Sequence, residues 1–181
     1  MKVLQKSNWS KYWCKVTIIF LSLSIWSGIC DSNPYTIFEL KPLNVTESGQ
    51  SANFEFEIKE TGNYHFNLLF MLGDKYRNIT CENWNKLVGD PNNYGIITPF
   101  SLRMVKDGKV FLDEKINAWG CEGKIHFKYK DEEKISVLVR KIKTLELSLG
   151  HYSATITNLD SIIEFKDIMT VVWFTSHDPK M

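Results

Sequence analysis

The stretch 49–73, GQSANFEFEIKETGNYHFNLLFMLG, constrains this chain more than any other. Phe54, Phe56 and Ile58 alternate with Asn53, Glu55, Glu57 and Lys59. A period of two marks a half-buried β-strand, because successive side chains leave opposite faces of the pleat. Lys59-Glu60-Thr61-Gly62-Asn63 then has turn chemistry. Tyr64 to Met71 resumes the alternation and ends apolar on both faces. That second strand is expected to enter from an edge and finish deep in a core. Two strands joined by a short Gly-bearing link predict a hairpin.

The remainder repeats this grammar. Tyr35 to Leu40 predicts a short strand stopped by Pro42, and Leu43 to Thr46 predicts its continuation past a bend. Phe100, Leu102 and Met104 alternate with Ser101 and Arg103. Lys106-Asp107-Gly108-Lys109 predicts a type I′ turn, whose two central positions need positive φ, and Val110-Phe111-Leu112 follows. Ile125, Phe127 and Tyr129 face away from Lys124, His126 and Lys128, and Ile135–Ile142, Leu145–Leu149 and Ile168–Phe174 give further strands. One segment departs from the pattern. Cys81, Trp84, Leu87 and Val88 share one face of a short helix near 81–88, begun by Thr80 and stopped by Gly89.

Gly62-Asn63-Tyr64 and Gly150-His151-Tyr152 both read Gly-x-Tyr ahead of alternating apolar residues. A tyrosine at such a place can return its hydroxyl to the backbone where a Greek-key sandwich turns a corner. Eight or nine short strands, one small helix and Gly/Asp-marked turns predict an all-β fold. The expected architecture is an antiparallel β-sandwich, Ig-like or jelly-roll.

The N-terminal 30 residues have a different character. Lys2, Lys6, Lys11 and Lys15 precede the apolar run Val16–Trp26, and no acidic residue occurs before Asp31. Eleven residues at about 1.5 Å each fall short of a hydrocarbon core of about 30 Å. Residues 1–30 therefore predict a signal peptide or a short membrane anchor, ahead of a single domain at 31–181. Cys30 leaves a third option open, lipidation, although Ile29 stands where a lipoprotein carries a small residue. Without the four leader lysines the rest holds 18 basic against 21 acidic side chains. Such a balance lacks the basic field that attracts nucleic acid, and membrane contact is expected only through the N-terminal segment.

Cys14 lies in the leader, which leaves Cys81 and Cys121 certain to be exported. In an oxidising compartment a bridge is the expected state, closing a loop of about 40 residues and contributing about 4 kcal/mol in the chain-entropy treatment. Two buried thiols are the alternative. The spacing does not suit zinc, and no His flanks either cysteine.

Chemistry is sparse. There is no Gly-x-Ser-x-Gly elbow and no phosphate-binding glycine loop. His65, His126 and His151 fall on the polar sides of their strands and His177 in the tail, so solvated histidines are expected and no metal or cofactor. Glu55, Glu57 and Glu60 form an acidic ridge that strand surfaces carry routinely. Asn44-Val45-Thr46 and Asn78-Ile79-Thr80 match a glycosylation triplet that also arises by chance. Trp84, Tyr94 and Trp119 lie in the non-strand stretches around the cysteines. They are expected either to plug the end of the core or to form a binding surface on loops.

The segments GQSANFEFEIKETGNYHFNLLF at 49–70, WNKLVG at 84–89, Ile97-Thr98-Pro99 and LSLGHYSATITNL at 147–159 give the chain a resemblance. It resembles the bacterial domain-of-unknown-function family 5625, which are exported, often lipidated sandwich proteins. The resemblance implies fold and compartment, the periplasm or envelope of a Gram-negative bacterium, and carries no catalytic residues. It suggests a partner or immunity-type inhibitor that neutralises a toxin or an envelope enzyme. The expected function is thus non-enzymatic binding of another protein. A carbohydrate-binding module using the loop aromatics is the alternative, and a hydrolase comes last.

Overall fold

The computed structural model describes residues 38–72, 85–89, 94–129 and 132–176. Nine strands, one α-helix and one 3-10 turn (Ile163–Phe165) are described: β1 (Phe38–Pro42), β2 (Ser51–Ile58), β3 (Gly62–Leu72), α1 (Asn85–Val88), β4 (Thr98–Lys106), β5 (Lys109–Ala118), β6 (Gly123–Tyr129), β7 (Glu132–Leu147), β8 (Gly150–Asn158) and β9 (Met169–Thr175). They form two antiparallel sheets, β1-β9-β3-β7-β6 and β2-β8-β4-β5. The two pack as the expected β-sandwich.

The inner faces are supplied by the period-two pattern. Ala52, Phe54 and Ile58 of β2, Phe66, Leu68 and Phe70 of β3, and Phe100, Leu102 and Met104 of β4 are all buried in one cluster. Its centre is aromatic. Phe174 lies 4.1 Å from Phe56 and 4.5 Å from Phe66, ring centroid to centroid, and Phe54 meets Phe66 edge-on at 5.5 Å. The five-stranded sheet is apolar on its other face as well, where Leu69, Met71, Val137, Val139, Val171 and Trp173 form a second buried cluster. This explains the continuous apolar runs in β3, β7 and β9.

Two local expectations change. The segments 51–58 and 62–72 do not make a hairpin: β2 pairs with β8, whereas β3 pairs with β7 and β9. The link between them carries the chain from one sheet to the other. Turn chemistry is the same for both connections; the partner strands, supplied from far along the chain, decide between them. Nor does β3 enter from an edge, because it lies between β9 and β7 and is buried from Tyr64 to Met71. His65 is consequently buried, not solvated, with Nδ1 3.0 Å from the Thr144 hydroxyl. Pro42 is the last residue of β1 and does not precede a continuing strand, although Leu43 and Val45 beyond it are buried in the core. The Asp107-Gly108 turn joins β4 to β5 with φ of 48° and 79°, as a type I′ turn requires.

Both Gly-x-Tyr sites stand where the chain changes sheets. The Tyr64 hydroxyl donates to the Glu60 carbonyl at 2.7 Å, and the Tyr152 hydroxyl donates to the Ser148 carbonyl at 2.9 Å. Each ring is buried while its polar tip is satisfied locally. Burial, with Glu60 and then Tyr152 nearby, raises the Tyr64 phenol above its ordinary pKa. Gly62 starts β3 and Gly150 starts β8.

Two substitutions test this packing by urea unfolding. Phe174→Ala should cost about 3–5 kcal/mol, because it opens a cavity at the aromatic centre. Tyr64→Phe should cost about 1 kcal/mol, the net worth of one hydrogen bond. A Phe174 variant as stable as the parent contradicts the assignment of the core.

Candidate functional site

One end of the sandwich is assembled around Arg140 of β7. The alternation Leu138, Arg140, Ile142 places this side chain on the inner face, where it is fully buried. A guanidinium has five N–H donors in a rigid fork. Here Nε donates to the Gly120 carbonyl at 3.1 Å. Nη1 donates to the Ile96 carbonyl at 2.8 Å and to the Thr98 hydroxyl oxygen at 2.6 Å. Nη2 donates to the carbonyls of Leu87 at 3.3 Å and Val88 at 2.8 Å. The cation also lies 5.0 Å from the Phe70 ring centroid and 5.8 Å from that of Phe165, which supplies π-face attraction.

No carboxylate is among these partners, so the charge is held by neutral dipoles and aromatic faces. Burial lowers the guanidinium pKa to about 10. The folded state therefore holds the proton less tightly than the unfolded chain. The burial cost is constant below pH 10, and Arg140 adds no pH dependence to stability near neutrality.

The acceptors come from three separate stretches: the C-terminal turn of α1, the approach to β4, and the β5–β6 connection. Further bonds tie these together, Ile96 N–H to the Leu87 carbonyl at 2.9 Å and Gly120 N–H to the Tyr94 carbonyl at 3.2 Å. Gly95 permits the closest approach. Its φ is +60°, and a Cβ there would stand 2.3 Å from the Gly89 nitrogen.

On these fixed loops sit Tyr94 and Trp119, 61% and 47% exposed, with ring centroids 4.5 Å apart and planes at 89°. Trp119 therefore does not plug the core, which leaves the binding-surface reading for it. Its ring is directed outward because the β5–β6 connection is fastened from below through Gly120. Ile97, in the same loop as Tyr94, is exposed too. Cys121 follows, half-buried, with its sulfur 3.6 Å from the Gly123 carbonyl oxygen. Trp84, Cys81 and Cys30 lie outside the described residues, as does His177. Of the expected helix, Asn85–Val88 is described, with Leu87 half-buried and Val88 buried.

Of the acidic ridge, Glu60 stands in the link to β3, and Glu55 and Glu57 lie elsewhere, on the outer face of β2. Glu55, Glu57, Asp107 and His151 line an open groove of about 520 Å³ there. The His151 ring is 4.0 Å from Glu57, and the His151 backbone N–H donates to Asp107 Oδ1 at 3.0 Å. Glu55 and Glu57 are both exposed. His126 is also exposed, 2.8 Å from the Ser136 hydroxyl. Among the described residues no three His, Cys, Asp or Glu side chains group as a metal site.

Arg140→Met should lower unfolding free energy by more than about 3 kcal/mol, since it removes five donors from buried acceptors. Arg140→Lys should restore little, because an ammonium has three donors and no planar fork. Equal stability of the Lys variant and the parent contradicts the geometric role.

Comparison with known proteins agrees with this architecture. A crystal structure of a protein from Sulfurospirillum deleyianum superposes with a TM-score of 0.56 at 16% identity, over 80% of this chain and 99% of that one. At that identity the likeness concerns fold alone. No curated protein matches the chain. The model of a domain-of-unknown-function family, DUF5625, matches residues 40–176, and the chain belongs to that family.

Proposed function

We propose that this is a non-enzymatic exported protein of a Gram-negative periplasm or envelope that binds another protein through the Tyr94–Trp119 surface. A toxin or an envelope enzyme is the kind of partner it would neutralise. One observation carries the reading: two exposed aromatic rings are held in fixed relation on loops anchored to a buried arginine. Aromatic anchors on rigid supports bind at low entropic cost, and Trp and Tyr dominate binding energy at protein interfaces. The leader at 1–30 supports export, with cleavage, anchoring or lipidation at Cys30 as its three outcomes. Among the described residues no helix is long and apolar enough to cross a membrane. A Cys81–Cys121 bridge fits the same compartment and is supported by the engaged, half-buried sulfur of Cys121.

The carbohydrate reading draws on the same exposure of Trp119. Against it stands the 89° angle between the rings, which gives a notch in place of the flat platform that a sugar face covers. Exposed Ile97 adds apolar surface suited to a protein.

The test is a pull-down from envelope extract with the parent protein and with Tyr94→Ala/Trp119→Ala. A stoichiometric protein partner should be recovered by the parent and lost with the double variant, each ring being worth about 2 kcal/mol or more. Retention on peptidoglycan or glycan resin, with no protein recovered, overturns the proposal. A peptide map without reductant should show Cys81 linked to Cys121; free alkylation of Cys81 in denaturant contradicts the bridge.

A further inference from the structure

The four-stranded sheet ends in β5, which pairs with β4 and with no other strand among the described residues. Unpaired edges of this kind are templates for a further strand. The direction of the unpaired backbone groups can be read from Pro99. It has no N–H, and its carbonyl accepts from Leu159 N–H at 2.9 Å, on the β8 side. Its cross-strand neighbour is Asn117. Opposed residues in an antiparallel pair point their backbone groups either both inward or both outward. Asn117 therefore directs its N–H and C=O away from β4, and by the period of two so do Lys115 and Asp113. The register shift at Met104/Val105 bends β5 ahead of this segment and leaves Leu112–Asn117 as its regular part.

From this we infer that β5 is a homodimer edge, pairing antiparallel with the β5 of a second copy about a two-fold axis at Glu114. The observation that selects the occupant is charge complementarity. With the axis at Glu114, each Asp113 lies opposite the second copy's Lys115, in the hydrogen-bonding position, twice per dimer. Both side chains are exposed on the outer face. On the inner face Leu112 meets Ile116, and both are half-buried against the core. The two Glu114 side chains face one another, but each is already paired with its own Lys143 at 2.7 Å. Two-fold axes through Asp113 or Lys115 instead put like charges face to face. The opposite edge, β2, exposes Ser51, Asn53, Glu55 and Glu57; the lysine beside it, Lys59, lies past the end of the strand and already meets its own Glu57 at 3.6 Å, so self-pairing within β2 brings carboxylates together. The dimer joins two four-stranded sheets into one of eight. It goes beyond the binding surface at Tyr94 and Trp119 and does not depend on it.

Sedimentation of the purified protein over a concentration series tests this. The parent should show a monomer–dimer equilibrium that weakens with salt. Lys115→Asp and Asp113→Lys should each weaken it about tenfold, by replacing attraction with repulsion at two symmetric pairs. An equimolar mixture of the two variants should dimerise like the parent, because each then presents what the other lacks. Unchanged circular dichroism would show that both variants fold. A parent that stays monomeric, a dimer indifferent to both substitutions, or a mixture without rescue each overturns the inference.

Discussion

The interior of this sandwich contains a permanent cation, and the loop end of the molecule is built on it. Arg140 spends all five donors on four backbone carbonyls and one hydroxyl. Those acceptors belong to segments far apart in sequence, so one side chain replaces the ladder bonds that irregular backbone lacks. A neutral residue of equal volume would fill the space and leave the carbonyls unpaired. Among the described residues none of its partners is a carboxylate, which also fits the position. Five oriented dipoles and two aromatic faces compensate the charge and fasten three loops together, whereas an ion pair would fasten one.

The opposite end is fixed by a different device. Tyr64 and Tyr152 stand at the two places where the chain passes between sheets beside a Gly-x-Tyr, and each closes its corner with a bond to the residue four before it. Between the ends, Phe54, Phe56, Phe66 and Phe174 interlock the sheets. The sheets thus make a rigid body whose surface chemistry is confined to loops and edges. The same division of labour explains why no buried titratable cluster appears among the described residues, while exposed rings and an open edge do.

Much of the fold was legible because alternation is a local consequence of the pleat. Ala52 to Ile58, Phe100 to Met104 and the Asp107-Gly108 turn needed no distant information. The Gly-x-Tyr sites were legible for the same reason, since the hydroxyl reaches only four residues back. What failed to show was non-local. The passage 59–61 looks like a hairpin turn because its partner strands, β7 and β8, lie roughly 70 to 100 residues on. His65 looked solvated because alternation assumes one wet face, and the five-stranded sheet is buried on both. Arg140 is inconspicuous inside Val137-Leu138-Val139-Arg140-Lys141-Ile142. Its signal was present, a charge in register with Leu138 and Ile142, but nothing nearby in sequence supplies its acceptors. Trp119 was ambiguous until the bond from Gly120 to Tyr94 fixed which way the loop faces.

Amide hydrogen exchange in Arg140→Met, compared with the parent, tests the central claim most directly. If the arginine holds the loop end, protection is lost first at Ile96 and Gly120, whose amides bond within that cluster. Strand amides of β2 and β8 should fall only with global stability. Equal loss across both regions, or unchanged protection at Ile96 and Gly120, would show that these loops are ordered by something other than the buried guanidinium.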